Sequence, residues 1–366
     1  MNSLGKERCW AEIDRAALRH NARLAQERVG PEVELLAVVK ANAYGHGMIE
    51  VAGALREEAK IFGVANLHEA EELRASGIPH PILILGPALP EERAPINQQG
   101  LIPSVSSFEE ARRFAGNRSG INFAIDSGMG RIGCWQGDAL AELEKISREP
   151  ELKIHSISTH LPVADEDTGF TREQLARFDA LVRQIHARLP GNYKVHVLLS
   201  AGILGFARYA FDMVRAGLLL YGSSPLPDEQ KFLRSVMTLK ARVVLLRDLP
   251  AGRSVSYGRT FTTSRATRVA TISVGYADGY PRSLSNRGAE VLIRGGRCPV
   301  LGRVTMDLTM VDVSALSQVA LGDEVVLFGR QGTEEIFVAE VAERAGTIAW
   351  EIFTGIGSRV RRVYMG

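Results

Sequence analysis

"LLAVVK", residues 35–40, is a run of five apolar residues that ends on a lysine. Consecutive apolar side chains, the last two β-branched, fit a strand buried on both faces, as in a parallel sheet. A cation at the end of such a strand costs several kcal/mol to desolvate unless it is paired.

Working outward, the same texture repeats at "IFGVA" (61–65), "ILILG" (82–86), "LIPSV" (101–105), "INFAI" (121–125), "IHSIST" (154–159), "VHVLL" (195–199) and "VRAGLLL" (214–220). Polar stretches of helical period lie between, at 46–58, 67–76, 107–116, 137–149 and 171–188. The last is expected to start at Thr171, with Gln174 completing a capping box. Eight such repeats predict a (β/α)8 TIM-like barrel over roughly 35–222, in an α/β fold. An open doubly wound sheet is the alternative, weakened because no GxGxxG follows the first strand.

After the Pro- and Ser-bearing "YGSSPLPDEQKF" (221–232) the texture changes to strands separated by glycine turns, such as "MTLKARVVLL", "TRVATISVG" and "DEVVLFG". This predicts a mainly β C-terminal domain over 236–366, after a cofactor-binding barrel domain over 1–235 that includes an N-terminal strand and helix. That helix, within "CWAEIDRAALRHNARLAQERV", is expected to tie the two domains together.

The 366 residues carry a net charge of +2, with 45% apolar and 23% charged side chains. Nothing in that balance points to nucleic acid or an acidic membrane as partner. Cys9, Cys134 and Cys298 form no CxxC pair, so no disulfide framework or metal site is read and a reducing cytoplasm is expected. "MNSLGKERCW" has no long apolar region of the signal-peptide kind.

In a barrel of this kind the chemistry gathers at the C-terminal strand ends. Those ends carry Lys40, Arg131, His160, Ser200, and Arg215 with Gly217 and Tyr221. "LLSAG" (198–202) and "RAGLLLYG" (215–222) supply a hydroxyl and glycines where a phosphate is commonly cradled. A strand-end lysine facing a phosphate cradle suggests pyridoxal 5'-phosphate held by Lys40, whose apolar setting lowers its pKa and favours the nucleophilic neutral amine.

These residues carry a resemblance that runs nearly the whole length of the chain. "AVVKANAYGHG" (37–47), "DSGMGRIG" (126–133), "STHLPVADE" (158–166), "DMVRAGLLLYG" (212–222), "VSYGRTF" (255–261), "SVGYADGY" (273–280), "LGRVTMDLTMVDV" (301–313) and "GSRVRRVY" (357–364) resemble, in order, the blocks of the alanine racemase family. Those are fold-type III pyridoxal-phosphate enzymes. The resemblance implies interconversion of L- and D-alanine, with Lys40 holding the cofactor covalently. Tyr44, Ser200, Gly217 and Leu218 are implied at the phosphate, Arg215 at the pyridine nitrogen, and His160 along the ring. Arg131 is implied at the cofactor's phenolic oxygen and the substrate carboxylate. Tyr257 is implied as the second catalytic base, with Tyr276 and Met306 lining the substrate site, all three from the other subunit of a homodimer.

Racemisation takes a proton from one face of Cα and returns one to the other, which suits two bases on opposite faces. Lys40 and Tyr257, in different domains, meet that need. A tyrosine, with a reference pKa of about 10, needs nearby positive charge to act as a base. The family supplies it through a tyrosine–histidine–arginine chain, here Tyr257, His160 and Arg215. Arginine is a donor only, so Arg215 leaves the pyridine nitrogen unprotonated.

Three positions depart from the family pattern. A lysine that many members carbamylate to orient the arginine is Ala124 here. An asparagine before the phosphate serine is Leu199. A tyrosine that narrows the site is Ser358, followed by Arg361 in place of proline. Ser358 predicts a roomier pocket, so a broader serine/alanine racemase stands as one alternative. A non-catalytic pyridoxal-phosphate carrier or regulatory protein is another, disfavoured because both bases are present. D-alanine supply for peptidoglycan and catabolic use of alanine are both compatible with the sequence.

Overall fold

Residues 7–366 are described by the computed structural model. The signal-peptide reading rests partly on residues 1–6, which lie outside the described residues. Among the described residues, eight parallel strands close into a barrel. They are Glu34–Val38, Ile61–Val64, Ile82–Ile84, Ile102–Val105, Ile121–Asp126, Ile154–Ser158, Lys194–His196 and Met213–Ala216. The last pairs with the first through Arg215 opposite Leu36, which closes the ring. All eight runs anticipated from the apolar pattern are strands. Ile61–Val64 and Ile102–Val105 are buried at every position, because helices cover the outside while side chains fill the inside.

Helix starts are capped by short polar side chains that accept from free backbone N–H groups. Asn66 accepts from Glu69 N, and Ser107 from Glu110 N. The long helix Thr168–Arg188 begins three residues before the expected Thr171. Asp167 is its cap and accepts from Phe170 N at 2.9 Å. Thr171 lies inside the first turn, where its hydroxyl donates to Asp167 O at 2.8 Å. An aspartate free to accept there outcompetes a threonine one turn later.

The second sheet is built on Met237–Leu249, whose inner half alternates buried and half-buried residues as a one-sided strand should. Thr267–Ile272 and Glu324–Gln331 pair with it antiparallel. The N-terminal strand Cys9–Asp14, grouped with the barrel on sequence grounds, belongs to this sheet instead. It pairs antiparallel with Met237–Leu249 and parallel with the C-terminal strand Arg361–Met365. The helix that follows, Arg15–Val29, packs on the barrel, so this segment ties the two halves together. Asn21 reinforces the tie: its amide donates to Leu220 O at 3.1 Å and to Arg234 O at 2.8 Å.

Cys9, Cys134 and Cys298 are buried free thiols. Among the described residues, no helix is long and apolar enough to cross a membrane.

Candidate active site

The signature after the first barrel strand folds in a way its composition did not announce. Ala41, Asn42, Ala43 and Tyr44 have φ values of 52°, 54°, 52° and 52°, one left-handed turn directly behind Lys40. Such a turn costs about 1–2 kcal/mol per residue, so its surroundings must impose it. Glu69 accepts from Ala41 N at 2.7 Å and Ala65 N at 2.7 Å. Asn42 accepts from Met48 N at 2.8 Å. The Nδ1–H of the buried His46 lies 3.1 Å from Ala43 O and 2.9 Å from Tyr44 O. Gly45, at φ 78°, lets the backbone of Phe353 approach where a side chain would stand: a Cβ there would lie 2.3 Å from Phe353 O.

The turn sends Lys40 and Tyr44 to one mouth of the barrel. Lys40 has no hydrogen-bond or ion-pair partner among the described residues. Burial, and then the charge of Arg131, pull its ammonium below the ordinary value, against a smaller opposing pull from Glu69. Tyr44 stacks on Tyr221 at 4.7 Å, and burial raises its phenol to about 12. Tyr221 is a support: its hydroxyl donates to Val38 O at 2.8 Å, two residues before Lys40.

Two strands round the barrel from Lys40, Ser200 opens a short helix, Ser200–Gly205, which the sequence pattern did not reveal. Its Oγ accepts from Gly217 N and Leu219 N, each at 3.2 Å. A Cβ on Gly217 would lie 2.8 Å from the Tyr44 hydroxyl and 3.8 Å from Ser200 Oγ. Two hydroxyls and backbone N–H groups thus converge on a gap that glycine keeps open. This is the donor set a phosphate requires.

Arg215 is buried on the last barrel strand, and its guanidinium is surrounded by acceptors. It donates to Thr159 O at 2.7 Å, Val197 O at 3.0 Å and His160 Nδ1 at 3.3 Å, and also to His196 Nδ1. Burial, then Arg131, lower its pKa to about 10, which leaves it charged near neutrality. Burial, then the charges of Arg215, Arg131 and Lys40, hold His160 neutral, down to about 2. Arg131 sits in a loop fixed by Asp126, whose carboxylate accepts from Gly128 N at 2.9 Å, Met129 N at 2.9 Å and Gly130 N at 3.0 Å. Arg131 has no carboxylate partner among the described residues, and Ala124, buried on the strand Ile121–Asp126, offers none.

Tyr257, Tyr276 and Met306 are not joined to this cluster within the chain: no hydrogen bond or ring contact links them to Lys40, His160 or Arg215. They stand on interlocked loops of the second domain, 71%, 41% and 53% exposed. Ser256, at φ 66°, donates its hydroxyl to Arg303 O at 2.6 Å and so sets the Tyr257 turn. Tyr276 N donates to Thr305 O and Ala277 N to Met306 O, both at 3.0 Å. Arg359 bridges the same loops, to Asp278 at 2.7 Å and to Asp307 at 2.7 Å.

Motif reading missed the supports: Glu69, His46, Asn122, His196, Arg362 and the Leu219 amide. Of these, His46 could have been suspected as a polar residue six positions after the lysine, whereas Glu69 lies on the helix after the second barrel strand.

A (β/α)8 barrel with a strand-end lysine facing a phosphate cradle, joined to a β domain, is the architecture of a fold-type III pyridoxal-phosphate enzyme. Residues 13–225 match the family described as "Alanine racemase, N-terminal domain", and residues 236–364 match "Alanine racemase, C-terminal domain". An alanine racemase of Methylacidiphilum infernorum is 42% identical over 98% of this chain and 92% of its own length. The crystal structure of alanine racemase from Bacillus anthracis with bound L-Ala-P superposes with a TM-score of 0.88 at 35% identity, covering 98% of this chain and 95% of that one. The biosynthetic alanine racemase of Pseudomonas aeruginosa gives a TM-score of 0.90 at 34% identity, covering 98% and 100%. The chain belongs to the alanine racemase family: it is an isomerase that racemises alanine with pyridoxal 5'-phosphate.

Proposed function

We propose that the chain interconverts L- and D-alanine with two bases, Lys40 of one copy and Tyr257 of a second copy, in a homodimer whose sites lie at the interface. The observation that carries this reading is the contrast between the two residues. Lys40 is unpartnered among the described residues with its ammonium disfavoured, whereas Tyr257 is 71% exposed on a short turn of the second domain.

The residues fit pyridoxal phosphate. Lys40 would hold it covalently, Tyr44, Ser200 and the amides at Gly217 and Leu218 would hold its phosphate, Arg215 would face its ring nitrogen and His160 would pack along its ring. When bound, the cofactor acidifies the substrate Cα–H by delocalising the charge left behind. Lys40 takes or returns the proton on one side of Cα, and Tyr257 does so on the other. Arg131 orients the carboxylate, while Met306 and Tyr276 of the partner copy line the substrate pocket. Because Arg215 can only donate, His160 accepts through Nδ1 and carries its hydrogen on Nε2. That N–H is free to donate to the phenolic oxygen of an incoming tyrosine and stabilise its anion.

Ser358 favours a second substrate reading beside alanine. A small side chain where many relatives have tyrosine leaves room for serine and other small amino acids. A carrier or regulatory role needs no second base, so Tyr257 argues against it. Three free thiols suit a reducing cytoplasm, and both supply of D-alanine for peptidoglycan and catabolic use of alanine fit the reading.

The test is to mix the purified protein with L-alanine in deuterated water and follow optical rotation together with loss of the Cα proton. Racemisation with exchange supports the reading. Cofactor absorbance without exchange supports a carrier, and full activity in Lys40→Ala or Tyr257→Phe removes the two-base assignment.

A further inference from the structure

We propose that Asn122 is a positioning residue that fixes the tautomer of His196 and, through it, the aim of Arg215. The inference rests on the reading that Arg215 faces the cofactor ring.

The reasoning starts from donor arithmetic. A guanidinium has no acceptor, so the His196 Nδ1 that meets Arg215 must be a bare lone pair. His196 is fully buried and held neutral by burial and by Arg215. Its one hydrogen therefore lies on Nε2, where the acceptor is Asn122 Oδ1 at 3.1 Å. This fixes the amide of Asn122 as well: Oδ1 faces the histidine and Nδ2 faces Ser104 Oγ at 3.0 Å. Ser104 passes its hydrogen to Ile84 O at 2.7 Å. Ser156 donates to the same Asn122 Oδ1 at 2.9 Å, and its own lone pair is left for His155 Nδ1 at 3.2 Å.

The column thus runs from Arg215 through the buried His196, Asn122 and Ser156 to the half-buried His155, with a donor facing an acceptor at each step. None of Asn122, Ser104, Ser156 and His196 has an orphaned buried polar atom. The four are buried, so no solvent replaces a lost partner. Without the Asn122 carbonyl, the Nε2 hydrogen is stranded in the core, and the relief is to move it to Nδ1. There it would point at Arg215, donor against donor, and the guanidinium would have to turn away. Asn122 lies on the strand Ile121–Asp126 and has no hydrogen bond to Arg215, Ser200 or Gly217, so its link to Arg215 runs through His196.

The tautomer is read directly by 15N NMR of the histidine ring nitrogens in cofactor-free protein, independently of turnover. The expected result for the wild type at neutral pH is hydrogen on His196 Nε2 and none on Nδ1; a protonated Nδ1 overturns the proposal whatever any variant does. Asn122→Leu keeps the volume and removes the acceptor. It is expected to populate the Nδ1–H form and to lower kcat about ten- to hundredfold with little change in KM, the scale found for partners that orient metal-binding histidines. A folded variant with the wild-type tautomer and wild-type kcat also overturns it. Failure of the racemisation assay with an Nε2–H tautomer in place would count against the functional reading and leave the tautomer assignment standing.

Discussion

The guanidinium Nε of Arg362 donates to the carbonyl oxygen of Gly45 at 2.9 Å. One residue belongs to the C-terminal strand and the other ends the left-handed turn behind Lys40. Three further bonds from the same side chain reach Ile356 O, Gly357 O and Val360 O at 2.6–2.7 Å. The loop that carries Ser358 and the turn that carries Lys40 are therefore gripped by one group. Arg362→Met strands those carbonyls and is expected to cost about 3 kcal/mol or more, since charge-assisted bonds contribute about 1.5–3 kcal/mol each. Chemical denaturation and turnover should fall together; an unchanged denaturation midpoint would show that the grip is dispensable.

His46 makes stability depend on pH. Burial is the largest cause lowering its pKa, to about 3, while an unfolded histidine titrates near 6.5. The folded pKa is the lower one, so the unfolded chain binds the extra proton as pH falls from about 6.5 towards 3 and stability drops in that window. Between pH 7.5 and 5 this one group accounts for about 2 kcal/mol. His46→Gln should show a correspondingly shallower loss on acidification. His155, His160 and His196, all lowered chiefly by burial, act in the same direction.

Gly217→Ala inserts a methyl 2.8 Å from the Tyr44 hydroxyl. That is below van der Waals contact, so the Tyr44 hydroxyl must shift and the gap between it and Ser200 narrows. Retention of pyridoxal phosphate on dialysis should weaken at least tenfold. Equal retention in the two proteins would argue that the phosphate lies elsewhere.

Lys40→Ala and Tyr257→Phe should each be nearly inactive alone. If Tyr257 serves the partner's barrel, random subunit exchange between the two variants restores one intact site in half of the dimers, about a quarter of wild-type activity. No recovery after exchange, verified by mass spectrometry of the mixed dimer, would place both bases in one chain.

Ser358→Tyr should restore a narrow wall. The expected change is a fall in kcat/KM for serine of about tenfold or more relative to alanine. Parallel changes for both substrates would remove the serine as a determinant of breadth.

The barrel was legible because parallel strands buried on two faces announce themselves as unbroken apolar runs, and all eight did. The placing of Lys40, Ser200 and Arg215 on or just beyond barrel strands was legible from chain order. The left-handed turn was not, because Ala41 and Ala43 carry no local preference for it; Glu69, His46 and Arg362, distant in sequence or off the strand pattern, impose it. The N-terminal strand was misassigned for a similar reason: strand propensity does not tell which sheet a strand joins. Asn122 reads as one polar residue in an apolar strand, and only the donor count from Arg215 gives it a meaning.

The strand Cys9–Asp14 lies between Met237–Leu249 and Arg361–Met365. On a ribosome, the first strand made would wait for the last to emerge before it is paired on both edges. A nascent or prematurely terminated chain could complete its barrel and still expose that strand as an open edge, the kind of surface that recruits other chains. The five residues Arg361–Met365 thus cover one edge of a strand that the closed barrel leaves unpaired.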